Sequence, residues 1–217
     1  RPSQLVRLGL RADDERQLQG MLDIRDENWQ GTGMQLGFQL AGGQRNGDAT
    51  LDFNMKGLFN TYLTLGVSVF HRSWDTYLYG NAPKTHPNRW DRDLLGEYRD
   101  IRYGFTVSFG SLLERLGNAT AEFTWQNIRL LNVQDLAGVD ERYRLAMVRL
   151  ATLVDTNDSY PFPTKGVGFR MSYEFSLEGL GSQVGYNSLQ AMYENYASWG
   201  KALTFHPRFT LGFADNT

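Results

Sequence analysis

The chain of 217 residues contains no cysteine. That absence excludes a disulfide framework, a thiol nucleophile and any cysteine-ligated metal site. Histidine is nearly as scarce: only His71, His86 and His206 occur, and no two of them stand at metal-ligand spacing. No metal, no cofactor and no catalytic residue is expected in this chain. Long apolar runs are missing too, and mean hydropathy is −0.45, so nothing approaches the roughly 20 apolar residues of a membrane-spanning helix. Charge of one sign is never concentrated. The net charge is −2 with acidic and basic residues interspersed, so no nucleic-acid partner is expected. The segment GTGMQLG holds a Gly-x-Gly, but residues of strand character follow it, which excludes a phosphate-cradling helix start.

What the chain does have is alternation. In residues 155–179, DTNDSYPFPTKGVGFRMSYEFSLEG, a turn-forming stretch runs into a segment with period two. Val167, Phe169, Met171, Tyr173, Phe175 and Leu177 take the odd positions, and Gly168, Arg170, Ser172, Glu174 and Ser176 the even ones. Successive strand side chains point to opposite faces, so this is a strand with one apolar and one polar face. The pattern recurs at 50–56, 63–69, 102–109, 119–126 and 203–213, and more weakly at about 4–12, 17–25, 33–42, 142–154 and 184–196. The reading is all-β, with about eleven strands and no helix. The longest connection is expected at 81–98, which carries two prolines and mixed charges, with a medium one at 132–142. Short turns are expected around 29–33, 58–61 and 161–166.

Two architectures fit such strands. A soluble β-domain would bury the apolar face as a core, with the 81–98 loop able to hold a ligand. A transmembrane barrel would turn that face to lipid and the polar face to a wet interior. Three features favour the membrane: strands of roughly 9–12 residues, long enough to cross a bilayer at a tilt; small residues on the polar face (Gly66, Ser68, Gly104, Ser108, Gly168, Ser172); and aromatics near strand ends, among them Trp29, Tyr62, Trp74, Tyr160, Phe162 and Trp199. In this reading Arg102, Glu122, Arg170, Glu174, His206 and Arg208 face the interior. An outer-membrane enzyme would need a Ser/His pair near the lipid boundary. Only Ser73 and His71, close in sequence and on one face, offer one, and no catalytic role is expected of them.

Two stretches carry a family resemblance. DTNDSYPFPTKGVGFRMSYE resembles the Asp-x-x-Asp…(Phe)-Pro-Thr-[Arg/Lys]-Gly strand–turn–strand of the bacterial surface antigen barrel superfamily, the BamA/TamA-type outer-membrane insertases and translocators. The matching residues are Asp155, Asp158, Phe162, Pro163, Thr164, Lys165 and Gly166. DIRDENWQGTGMQLGF is similar to that family's first periplasmic turn through Asn28, Gly31, Thr32 and Gly33.

The resemblance implies a sixteen-stranded parent barrel in the bacterial or equivalent organelle outer membrane, of which residues 1–217 hold about eleven strands as one partial barrel domain. It places POTRA repeats upstream. It also implies lipid and a client or passenger polypeptide as partners, with insertion, translocation or anchoring of polypeptide as the function. The edges near 5–12 and 203–213 would then be completed by the parent's own missing strands or by another chain. The opening stretch, residues 5–33, is similar to the branch that carries a patatin-like phospholipase domain ahead of the barrel. No Gly-x-Ser-x-Gly elbow occurs in the chain, so that chemistry would lie upstream.

Overall fold

The computed structural model of the chain describes residues 3–13, 17–58, 61–81, 92–113, 116–134, 140–200 and 203–215. The strands are β1 (Gln4–Asp13), β2 (Gln17–Trp29), β3 (Met34–Gly43), β4 (Asn46–Leu58), β5 (Leu63–Asn81) and β6 (Arg92–Leu113). They continue as β7 (Gly117–Gln134), β8 (Asp140–Asp155), β9 (Lys165–Ser176), β10 (Asn187–Trp199), β11 (Leu203–Phe205) and β12 (Arg208–Asp215). A 3-10 turn, Glu178–Leu180, interrupts the connection after β9. All strands form one sheet in sequence order from β1 to β11, and β12 also pairs with β10. Among the described residues β1 pairs with β2 alone, and no ladder joins β1 to β11 or β12.

Several sequence expectations are corrected here. The 81–98 connection is shorter than expected, because β6 begins at Arg92 and β5 runs to Asn81. Residues 82–91, on which the expected excursion falls, lie outside the described residues. Likewise β7 reaches Gln134 and β8 starts at Asp140, which leaves only 135–139 of the expected 132–142 connection, again outside the description. β5, β6, β7 and β8 have 19, 22, 18 and 16 residues, well beyond the expected 9–12. Main-chain ladders need no side-chain alternation, so a ribbon with polar residues on both faces leaves no period-two signal. The strand expected at 203–213 is two segments, because Pro207 has no N–H to give to the ladder. Its carbonyl still accepts from the Asn195 N–H at 3.1 Å, and both segments stay on β10.

The chain divides into two units, each described by itself: residues 1–53, 68–105 and 126–144, and residues 54–67, 106–125 and 145–217. In the first, Val6 lies opposite Ile24 and Ile24 opposite Phe38, while Leu8, Leu22 and Leu40 form a parallel row. These side chains share one face. The opposite face carries Arg7 and Arg25 around Asp23, which is only 5% exposed.

In the second unit the register runs from Leu150 to Tyr173, Leu189 and Phe213, and from Val154 to Phe169, Tyr193 and Phe209. The odd positions of β9, β10 and β12 and the even positions of β8 therefore form one apolar face. The other face pairs Arg149 with Glu174 and Ala151 with Ser172 and Gln190. It is close-packed: a Cβ added at Gly168 would come within 2.8 Å of the Glu194 side chain, and one at Gly66 would collide with Ser108 Oγ. The small residues on this face are thus required by neighbours across the strands.

Candidate functional site

The turn after β8 is built by one carboxylate. Asp158 Oδ1 accepts from the N–H of Thr164 at 2.9 Å and of Lys165 at 3.2 Å, and its Oδ2 accepts from the Thr164 hydroxyl at 2.6 Å. The Asp158 N–H donates to the Lys165 carbonyl at 3.0 Å. The bonds to the carboxylate, that of the Thr164 hydroxyl first, hold the Asp158 carboxyl down at about 2, because each of them favours the charged form. Asp155 Oδ1 accepts from the Asn157 N–H, and the Phe162 carbonyl accepts from the Ser159 hydroxyl. Gly166 has φ +139°, and a Cβ there would approach Asn157 Cα to 2.6 Å, so no other residue fits. Pro161 and Pro163 lie in the same turn, between Ser159 and Thr164. Sequence reading missed Thr156, whose hydroxyl accepts from the Val167 N–H at 2.9 Å. A lone threonine before a turn gives no signal of its own.

The turn after β2 uses a different device. Asn28 Oδ1 accepts from the Gly33 N–H at 2.7 Å, and the Asn28 N–H is itself capped by Asp26. Gly31 and Gly33 both have φ +75°. The Thr32 N–H and hydroxyl both donate to the Trp29 carbonyl, and Thr32 Oγ1 accepts from Met34. Thr61 repeats the arrangement on Leu58 and Leu63 in the turn after β4. All four residues singled out at 28–33 therefore belong to one turn, and Asp155, Asp158, Phe162, Thr164, Lys165 and Gly166 to another.

The charged residues singled out in the sequence form two pairs, and Arg102 and Arg170 stand apart from them. Glu122 and Glu174 are brought together by Arg149, 3.7 Å from the first and 3.3 Å from the second. Arg149 escaped the sequence reading because β8 is apolar at both parities around it. His206 and Arg208 meet on Glu194, at 3.3 and 3.5 Å, with the His206 ring stacked on Tyr196 at 4.0 Å. Arg102 is bound to Asp100 at 2.8 Å and lies over the Trp74 ring. Arg170 stands on the polar face of β9, between Leu153 and Met192 in register. His71 stacks on Tyr103 at a centroid distance of 6.5 Å. Among the described residues no group of three or more His, Asp or Glu could hold a metal ion.

Turns fixed by side-chain caps and strands with one charged and one apolar face are arranged to hold a sheet across lipid. Residues 28–217 match the Omp85 superfamily domain. The chain belongs to the Omp85 superfamily. No curated protein sequence matches it. Among solved structures, this Omp85 domain is similar to BamA from Haemophilus ducreyi, in a crystal structure lacking POTRA domains 1–3. The TM-score is 0.76 and the identity 15%, with 100% of this chain and 42% of that one covered. The likeness shows the fold, an antiparallel transmembrane β-barrel, and this chain spans less than half of that relative's length. As an Omp85 barrel domain its place is the bacterial outer membrane.

Proposed function

We propose that this Omp85 domain inserts or translocates polypeptide across or into the outer membrane, and that β1 is the strand at which a client polypeptide is received. One observation carries the reading. β1 is laddered to β2 along its whole length, from Gln4–Asp26 to Asp13–Gln17, and has no second neighbour among the described residues. Its Leu8 and Leu10 are 82% and 86% exposed. Unpaired main-chain groups are untenable in hydrocarbon, so this edge needs a strand, from a client or from the rest of the parent barrel. The 42% coverage of the BamA chain supports the view that residues 1–217 are one part of a larger barrel with POTRA repeats elsewhere in the parent. Within it, the polar face bearing Glu122, Arg149, Arg170, Glu174, His206 and Arg208 lines the wet interior, the Asp158 and Asn28 turns face the periplasm, and the opposite face meets lipid. The chemistry is main-chain pairing, with no catalytic set.

The test is cysteine crosslinking from Gly9 in the reconstituted full-length parent while an outer-membrane protein folds. Adducts to a client strand are expected. Adducts only to the parent's own last strand, unchanged by client, would overturn the reading. The narrower reading makes the passenger a patatin-like phospholipase domain of the same parent, which the similarity of residues 5–33 to that branch supports. Phospholipase activity on intact cells that depends on the barrel would establish it, and a parent without such a domain would end it.

A further inference from the structure

Strands β5 to β9 differ on their two faces in more than polarity. The face with Glu122, Arg149 and Arg170 encloses a polar cleft of about 500 Å³. The opposite face of the same strands is indented by a cavity of about 390 Å³ lined by Leu63, Phe109, Ala119, Ala121, Leu150 and Met171. Ala119 and Ala121 are short where their neighbours are long, and the indentation follows from that difference. Three hydroxyl residues, Ser111, Thr120 and Thr152, stand among the apolar side chains of the wall, and that of Thr152 already donates to the Asn118 carbonyl at 3.1 Å. A ligand here would find no charge to neutralise and a wall made mainly of methyl, methylene and ring surface. The volume lies at the low end for small-molecule sites.

We propose that this indentation is a binding groove for one acyl chain of a phospholipid in the leaflet on the side of the turns after β4, β6 and β8. The face is continuous with the apolar rows of β8, β9, β10 and β12, which the outer-membrane setting of the fold bathes in lipid. The lining residues sit close to one end of their strands. Leu63 opens β5, Ala119 is the third residue of β7, and Thr152 lies three before the end of β8. At about 3.3 Å per residue, that keeps them within the near half of a hydrocarbon core of about 30 Å. Tyr62, exposed and next to Leu63, stands where interfacial aromatics meet headgroups. A groove at this depth selects the chains of the near leaflet, and its fixed walls hold a chain that would otherwise exchange freely. The proposal rests on the lipid-facing orientation of the apolar face and not on polypeptide insertion.

The experiment uses the full-length parent in phosphatidylethanolamine vesicles doped with a phosphatidylethanolamine bearing a diazirine on its acyl chain, with adducts mapped by mass spectrometry. Labelling at residues 109–121 and 150–152 is expected to exceed that at 189–193 and 209–213 by about fivefold. Ala121→Phe should erase the excess, and Leu189→Phe, on the same face outside the groove, should leave it intact. If Ala121→Phe fails to assemble, Ala119→Leu gives the same reading, and native mass spectrometry of the unmodified protein should still show retained phospholipid. Even labelling along all outward positions, meaning annular lipid only, would overturn the proposal, as would an excess that survives both filling variants. Labels on Arg149 or Glu174 would instead show that the faces are assigned the wrong way round.

Discussion

The far reach of β5 and β6 and the ladder of β8, β9 and β10 use the same strand geometry for opposite ends. From residue 145 of β8 onward, and along β9 and β10, the charge pairs lie on one face: Arg149 with Glu122 and Glu174, Arg208 with Glu194. Around residues 72–80 and 94–102 charge pairs occur at both parities. Arg99 reaches Asp75 at 2.6 and 2.8 Å, while Arg102 reaches Asp100 from positions of the other parity on β6. Arg45 is shared between Glu97 and the Tyr77 ring. A strand needs about 9–11 residues to cross the hydrocarbon at a tilt, and β5 and β6 have 19 and 22. The surplus stands in water, where both faces can be charged. One-sided polarity therefore marks strand inside lipid, and two-sided polarity marks strand beyond it.

The largest effect that tests this contrast is a charge placed on the apolar face. Phe169→Arg should destabilise the barrel by about 2–4 kcal/mol in urea titrations from phospholipid vesicles, whereas Leu78→Arg should cost less than about 1 kcal/mol. Equal penalties would erase the distinction between the two regions. Removal of the shared cation comes next. Arg149→Ala leaves two carboxylates facing one another, and because these groups are part-exposed we expect a loss of about 1–2 kcal/mol, with Glu174→Gln restoring much of it. A double-mutant cycle that shows no coupling would mean that solvent screens the triad completely.

The alternation of β9 let its two faces, and the placing of Arg170 and Glu174 on one of them, be read directly from residues 166–177. The caps at Asp158 and Asn28 were legible only as a resemblance, because the bonds they make reach five to seven residues ahead and leave no periodic trace. The overlong ends of β5 and β6 could not be read at all. Glu97 falls in the expected 81–98 connection and Asp75 and Arg99 lie outside every alternating stretch, and only their cross-strand partners turn them into a ribbon. Arg149 was hidden for the opposite reason, since apolar residues surround it at both parities.

The turns allow a finer test. Asp158 titrates at about 2 in the folded turn and near 3.9 when unfolded. Its folded value is lowered, so its contribution is complete above the unfolded value and fades as pH falls through about 2. Protection of the Thr164 and Lys165 amides, relative to their intrinsic exchange, should be high at pH 5 and fall near pH 2, and Asp158→Asn should lower it at both. Protection that does not change with pH would show that the backbone alone holds the turn. The smallest effect is expected at Thr32 and Thr61. Replacing either with Val removes a hydroxyl that bridges two main-chain groups, at a cost of about 0.5–1 kcal/mol in thermal unfolding. A much larger loss at Thr61 than at Thr32 would show that the two turns are not equivalent in the assembled sheet.

Because, among the described residues, each strand pairs with its neighbours in sequence, with β12 following β11 onto β10, contact order is low for so large a sheet. No pairing has to wait for a distant part of the chain to arrive. Loop-closure entropy stays small at each step, and such topologies assemble faster than those built on remote contacts. The same rule makes the sheet extendable: a hairpin added at either edge joins by the reaction that placed the previous one. In a barrel closed from such a sheet, the slow event is then the one pairing that is not local, the meeting of the first and last strands.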